Sequence, residues 1–199
     1  MICRAGPVSN PLDEPFEEDT GTPSMAVGPA GAGGIVLEVD VGWLTSAVQG
    51  HLGLTSWLDI MGRFEAMPLY QGFQGQNGII LGLRLAPEHG SFRYSVSTLA
   101  GREFVPHGAS AAWLTTLRGE AACGLVIGRL TPYARAEVHG LQSDNLFARR
   151  WEWDGDVGAG LESAWLSRRQ LILGGEVYAW IRPGSGSLLQ WRLRVGWAL

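Results

Sequence analysis

The residues best suited to chemistry in this sequence are one histidine and several carboxylates in its second half. His139 stands two residues after Glu137, and Asp144, Asp154 and Asp156 follow in the next connection. A carboxylate or histidine pair can activate a water molecule for hydrolysis. No hydrolase signature surrounds these residues. We therefore assign no catalytic residue, and a hydrolase with a site at the rim of a barrel stays an alternative.

Binding of metals, cofactors or nucleic acid finds no support in the sequence. The four histidines show no metal-ligand spacing. A glycine-rich run ends at Gly34, before a predicted strand and not before a helix, so it is not a phosphate-binding loop. The net charge of −4 disfavours nucleic acid, because phosphate binding needs a basic surface. We predict no metal, no cofactor and no nucleic-acid partner.

Charged residues of both signs recur at alternate positions of the predicted strands. In the stretch from Leu189 to Leu199, alternate residues are apolar and the opposite face carries Arg192 and Arg194. An even mixture of signs can neutralise itself in a narrow lumen, although a solvated outer face would show the same mixture. The predicted lumen network consists of Glu38, Asp40, Arg63, Glu65, Arg84, Arg93, Arg118, Glu120, Arg135, Glu137, Glu162, Glu176, Arg192 and Arg194.

Two regions follow from composition and periodicity. Residues 1–33 are rich in proline, glycine and acidic residues, which predicts a flexible tail. From residue 34 to 199 the chain alternates repeatedly between apolar and polar residues. This pattern predicts an all-β domain with an antiparallel up-and-down sheet of about ten strands, with eight to twelve possible.

Alternation alone does not decide which face points inward. Several predicted strands run about 10–13 residues, close to the roughly 9–11 that a tilted membrane strand needs. The turns after the second, fourth, sixth and eighth strands are short, and those after the third, fifth and seventh are longer. The first and ninth connections are also short and depart from this pattern. Five tryptophans stand near strand ends, as in an interfacial girdle. These features favour a transmembrane barrel over a soluble barrel that binds an apolar ligand.

The longest predicted connection runs from Gln142 to Asp156 and combines aromatic residues with arginine, a mixture typical of binding hot spots. Tryptophans of an interfacial belt would give the same pattern. We predict an outer-loop binding surface made of Phe147, Arg149, Arg150, Trp151 and Trp153.

Residues 34 to 199 resemble a bacterial outer-membrane β-barrel of the small up-and-down kind. The final strand, with Trp191 and Trp197, is similar to the C-terminal assembly signal of such proteins, although Leu199 replaces the usual terminal phenylalanine. The stretch from Gly53 to Asp59 looks like a periplasmic turn. The resemblance implies an outer-membrane location with lipid around the barrel. It also implies insertion by the barrel-assembly machinery through the C-terminal strand, but no signal peptide is visible in the sequence.

The expected function is therefore that of a non-enzymatic outer-membrane barrel with a narrow charged lumen. It would act as an envelope anchor, an adhesive surface or a subunit of an envelope complex, with other envelope proteins as potential partners. A ten-stranded lumen crowded with charged and aromatic side chains is not expected to form a wide pore.

Overall fold

The computed structural model describes residues 24–43, 45–66, 77–107, 110–143, 150–165, 171–184 and 186–199. No helix among these residues has the length and hydropathy needed to cross a bilayer. The alternating segments form eleven strands: β1 (Ile35–Gly42), β2 (Ser46–Gly53), β3 (Leu58–Ala66), β4 (Asn77–Leu85), β5 (Glu88–His89), β6 (Phe92–His107), β7 (Ser110–Leu125), β8 (Leu130–Ser143), β9 (Trp151–Trp165), β10 (Leu171–Arg182) and β11 (Gly186–Ala198).

The strands close into one antiparallel barrel. Ten of the eleven form the wall, each hydrogen-bonded to two neighbours, and the β1–β11 and β4–β6 pairings complete the ring. The two-residue β5 pairs with β6 in the connection that follows β4. Closure gives every wall strand a neighbour on both sides, so the sheet has no edge strand. The predicted up-and-down antiparallel barrel of about ten strands is confirmed.

The stagger of the strands fixes the width of the lumen. Moving from partner to partner around the ring, a path that starts at Trp165 of β9 returns to the same strand at Trp153, twelve residues away. A barrel with this strand number and stagger has strands tilted by roughly 40°, and its interior is little wider than an eight-stranded barrel that side chains fill. Long side chains from facing strands therefore meet inside.

The faces of the wall are reversed relative to a soluble barrel. Outward residues are apolar and exposed, including Leu81 at 64% and Leu193 at 57%, whereas the inward Glu38 and Arg84 are 1% and 2% exposed. An apolar outer band around a polar interior is the arrangement of a transmembrane barrel. This finding overturns the alternative of a soluble barrel with an apolar cavity, because the interior is lined by charges.

The tryptophans predicted to form a girdle lie on the outer surface near strand ends. The start of β1 and the end of β11 meet at one end of the barrel, here named the terminal end, where Ile35 and Leu199 exchange backbone hydrogen bonds of 3.3 and 2.8 Å. The opposite end is named the far end. These five exposed tryptophans are Trp43, Trp57, Trp113, Trp165 and Trp197.

Two predicted long connections are largely strand. β6 extends to His107 and β7 begins at Ser110, so paired strand takes up most of the long connection expected after the fifth strand. Likewise β8 ends at Ser143 and β9 begins at Trp151, which shortens the expected loop from Gln142 to Asp156. The alternation fades in these stretches because outward residues near the far end, such as Arg102 and Gln142, are polar. The backbone pairing continues regardless.

The boundary of the N-terminal region also differs from the expectation of a tail through residue 33. Residues 24–29 are buried inside the barrel at its terminal end, and the chain then turns through Gly31 and Gly33 into β1. Small residues dominate this segment and therefore fit where bulky ones would clash. Residues 1–23 lie outside the described part of the chain.

We predict that an arginine placed on the outer face destabilises the barrel. Leu81→Arg, Leu83→Arg or Leu193→Arg should each lower the free energy of unfolding by about 2–4 kcal/mol, the cost of a cation near the bilayer midplane. Urea titration of the protein folded in liposomes measures the change, with Leu→Ala at the same position as the control for lost side-chain volume.

The orientation can be checked independently through Cys123, which lies on the outer face of β7. In a Cys3→Ser variant folded into liposomes, a water-soluble maleimide should leave Cys123 unlabelled until the protein is unfolded. Rapid labelling of the folded protein would contradict a lipid-facing wall.

Candidate functional site

The charged residues of the wall converge in the lumen because strand alternation turns them inward. Every network residue predicted from the sequence points into the barrel. Glu120 is the least buried of them, and the remaining ones have little accessible surface. The structure adds three carboxylates to the set: Asp59, Glu103 and Asp156. These seventeen residues are named the lumen network.

Arg118 is the centre of the network in the far half of the lumen. Its guanidinium contacts Glu65, Glu103 at 3.1 Å and Glu137 at 3.3 Å. Arg63 donates from Nε to Glu65 at 2.6 Å. Glu65 lies on β3 and Arg118 on β7, which are separated in the ring by β4 and β6. The Arg118–Glu65 pair therefore reaches across the lumen.

Arg135 organises the carboxylates between β7 and β10. It lies 3.0 Å from Asp156, 3.1 Å from Glu176, 3.2 Å from Glu137 and 3.6 Å from Glu120. Since Glu137 contacts Arg118 and Arg135 together, it joins this cluster to the preceding one. Neighbouring arginines share two of these four carboxylates, since Glu137 also contacts Arg118 and Glu176 lies 3.9 Å from Arg194, and this sharing adds positive charge to the cluster.

A third cluster surrounds Arg194 in the middle of the lumen. Its guanidinium lies 2.5 Å from Glu38, 3.4 Å from Asp40 and 3.5 Å from Glu162. Tyr133 links this cluster to the previous one, since its hydroxyl accepts from Arg194 at 3.1 Å and donates to Glu176 at 3.0 Å. The contacts form a continuous chain of charge pairs along the barrel.

The remaining arginines lie at different depths. Arg84 and Asp59 form a pair at 2.7 Å near the terminal end, and Arg93 lies 3.5 Å from Glu88 at the terminal rim. Arg192 lies 3.7 Å from Asp40 and stacks on the ring of Tyr178 at 4.9 Å from its centroid.

Of the described carboxylates considered for hydrolysis, Asp154 contacts His139, whose other partners are Thr116 and Glu103. Its Nε2 lies 2.8 Å from the Thr116 hydroxyl and 3.1 Å from Glu103, and its Nδ1 lies 3.5 Å from Asp154. Glu137 is engaged by arginines instead, and Asp144 lies outside the described residues. Thr116 has 0% exposure, so its hydroxyl is closed to a substrate in this structure. The cluster can bridge β6, β7, β8 and β9, which is a structural role.

Sequence reasoning missed Glu103 and the inward position of Asp154 and Asp156. Glu103 lies at every second position with Leu99 and Gly101, on the inward face of β6, so a longer assignment of β6 would have placed it in the lumen. Asp154 and Asp156 fell in the predicted loop. The alternation of β9, in which Val157 and Ala159 face outward, places both carboxylates on the inward face. Among the described residues, no group of three or more metal-ligating side chains is arranged to hold an ion.

The proposed outer-loop residues divide between the wall and its far rim. Trp151 and Trp153 belong to β9, point outward and stack with centroids 5.6 Å apart. Arg150 precedes the strand and is exposed. Phe147 and Arg149 lie outside the described residues. The structure thus provides a stacked aromatic pair beside an exposed arginine at the far rim.

Comparison with solved structures returns β-barrel proteins at low sequence identity. The N-terminal β-barrel domain of Pseudomonas aeruginosa OprF is 14% identical, with 85% of this chain and 99% of that chain covered and a TM-score of 0.39. The NanC porin is 8% identical, with 84% and 93% covered and a TM-score of 0.46. The KdgM porin is 12% identical, with 82% and 98% covered and a TM-score of 0.38. No protein-family model and no curated protein sequence matches the chain.

We predict that Arg118→Ala destabilises the folded barrel by about 3–5 kcal/mol, because the change leaves buried carboxylates without a counter-charge. Urea unfolding of the variant in liposomes measures the loss. Arg182→Ala is the matched control, since its pair with Glu152 at 3.6 Å is exposed, with side chains 54% and 76% accessible. The control should cost no more than about 1 kcal/mol. Equal effects of the two variants would contradict a coupled network.

Proposed function

We propose that the protein is a bacterial outer-membrane barrel that works as an anchor or surface module of the envelope and does not conduct solutes. The observation that carries this proposal is the Arg118–Glu65 pair, which bridges the lumen from β7 to β3. A conducting barrel of this width would need a clear axial path between its walls.

The filling of the lumen supports a closed barrel along its whole depth. Arg118 and Arg135 hold carboxylates in the far half, and Arg194 does so in the middle. Residues 24–29 occupy the terminal half. A small ion that entered would have to displace buried, charge-assisted contacts, and each of these is costly to break.

The wall supports an outer-membrane location. Its outward face is apolar along the strands, and lipid is the environment that such a face requires. β11 pairs with β1 where the ring closes. Its outward Trp191, Val195 and Trp197 belong to one apolar face of the strand. A C-terminal strand with such an apolar face fits the role of recognition strand for the assembly machinery.

The far rim is the part of the molecule best placed to meet a partner. The β8–β9 hairpin carries the Trp151–Trp153 stack beside Arg150. On the neighbouring strands, Phe104 and Trp113 form an edge-to-face pair at 5.3 Å. Aromatic groups next to arginine are typical of binding hot spots, so we propose this rim as the recognition surface of the module.

The absence of conduction is testable in planar lipid bilayers. The purified full chain should insert without stable conductance steps, because the pairs described above close the lumen. A porin added to the same bilayer is the positive control for insertion and detection. Reproducible steps whose size scales with salt concentration would overturn the proposed closed module and favour a channel.

The recognition rim is testable by substitution of its aromatic stack. Trp151→Ala with Trp153→Ala should abolish adhesion of expressing cells to a hydrophobic surface, while heat-modifiable migration on a gel shows that the barrel still folds. Trp165→Ala is the matched control, since Trp165 is equally outward but at the terminal end. Unchanged adhesion, or loss of folding in the double variant, would assign the stack to the membrane interface instead.

A further inference from the structure

The terminal half of the lumen is filled by the chain's own N-terminal segment. Residues 24–30, here named the plug, lie inside the wall, with Met25, Ala26 and Val27 at 2%, 1% and 0% exposure. They belong to none of the strands and make no ladder with them. The plug is therefore a separate element that the finished barrel encloses.

The wall binds the plug largely through its main chain. Arg84 donates to the carbonyl oxygens of Met25 at 2.9 Å and Gly28 at 2.6 Å. Ser95 donates its hydroxyl to the Ala26 carbonyl at 2.7 Å. Each of these wall groups is buried, so it recognises a peptide backbone and not solvent.

Carboxylates of the wall accept hydrogen bonds from the plug. Glu162 accepts from the Ser24 hydroxyl at 2.6 Å and from the Ala26 amide at 2.9 Å. Asp59 accepts from the Ala30 amide, with both oxygens at 3.2 Å. Hydrogen bonds to ionised groups are stronger than neutral ones, so these contacts define the path of the segment.

Two side chains of the plug enter sockets made by small wall residues. Met25 packs on Val36 and Ile172 beside Gly196, where an added Cβ would lie 2.8 Å from the Met25 Cγ. Its Cε lies 3.3 Å from the position of a Cβ on Gly174. Val27 packs with Ala122 and Tyr133 in the same way. The wall is thus shaped to these side chains.

The wall carboxylates that bind the plug are also paired with arginines of the wall. Asp59 is paired with Arg84 at 2.7 Å, and Glu162 lies 3.5 Å from Arg194. Departure of the plug would leave neither carboxylate without a cation. The large penalty for an isolated buried charge therefore does not oppose release.

An exposed turn joins the plug to the wall. Ala32 and Gly33 are exposed, and Gly31 and Gly33 have φ angles of 80° and 75°. The turn is pinned at its base, where Gly33 donates to the Gly53 carbonyl at 2.9 Å. A cut between Ala32 and Gly33 would free the plug without breaking a wall strand.

We propose that the terminal half of the lumen is a peptide-binding site whose resident occupant is the plug, and that the plug can leave and rebind while the barrel stays folded. Because the lumen network closes the far half, release opens a vestibule at the terminal end and not a channel. The inference does not depend on whether the protein serves as an anchor, but its one-ended vestibule rests on the proposed closure of the far half.

The test severs the plug after folding. A protease site inserted between Ala32 and Gly33 is cut in the full chain folded in detergent. The freed segment should then separate from the barrel on size exclusion, with heat-modifiable migration retained. A synthetic peptide of residues 24–32, labelled at its exposed C-terminal end, should rebind with saturable anisotropy and be displaced by unlabelled peptide.

Variants of the peptide supply the specificity control without altering the barrel. Met25→Asp should weaken binding at least tenfold, because it places a carboxylate in the apolar socket. The matched change Ala32→Asp, in the exposed turn, should leave binding unchanged.

Variants of the barrel supply a second control. Gly196→Leu fills the Met25 socket and should reduce binding of the unchanged peptide similarly, whereas Gly62→Leu on the outward face should not.

Two results would overturn the proposal. One is a cut segment that leaves only when the barrel unfolds, together with failure of the labelled peptide to bind. The other is binding that Met25→Asp does not weaken, which would show nonspecific association. Conductance of the cut barrel should stay at baseline. Conductance that appears only after cutting would overturn the one-ended vestibule while leaving the closed state of the intact protein in place.

Discussion

Closure of the wall is the constraint on which the rest of the structure depends. Within a bilayer, each backbone N–H and C=O must be paired inside the protein, and strands achieve this only in a closed sheet. The β1–β11 and β4–β6 pairings complete that sheet. Once the outer face must be apolar, alternation directs the charged wall residues into one narrow space. Charges confined there are stable only as pairs, so the lumen network follows from closure.

Arginine meets the demands of this lumen better than lysine would, and all 15 basic residues of the chain are arginine. The planar guanidinium offers five donors in a fixed fork, so one side chain can serve several carboxylates. Arg118 serves three and Arg135 serves four. This sharing makes the network continuous from strand to strand and makes its members depend on one another.

The plug and the network use the same chemistry for different purposes. In the network, charged side chains neutralise each other and connect strands that are not neighbours in the ring. At the terminal end, Glu162 and the Arg84–Asp59 pair extend that chemistry to the main chain of an enclosed segment. Because Glu162 binds the plug and also lies 3.5 Å from Arg194, the state of the plug and the packing of the lumen centre are physically connected.

The sequence by itself determined the strands, their alternation and the inward direction of residues such as Arg192 and Arg194, since a period of two is a local property of the chain. It failed for Glu103 and Asp154, because polar outward residues hide the alternation near the far end. Only the tertiary structure decided which charges meet: Arg118 and Glu65 are 53 residues apart and become neighbours through closure. The plug was also beyond local reasoning, because the wall binds it mainly through backbone groups, which leave no pattern in the sequence.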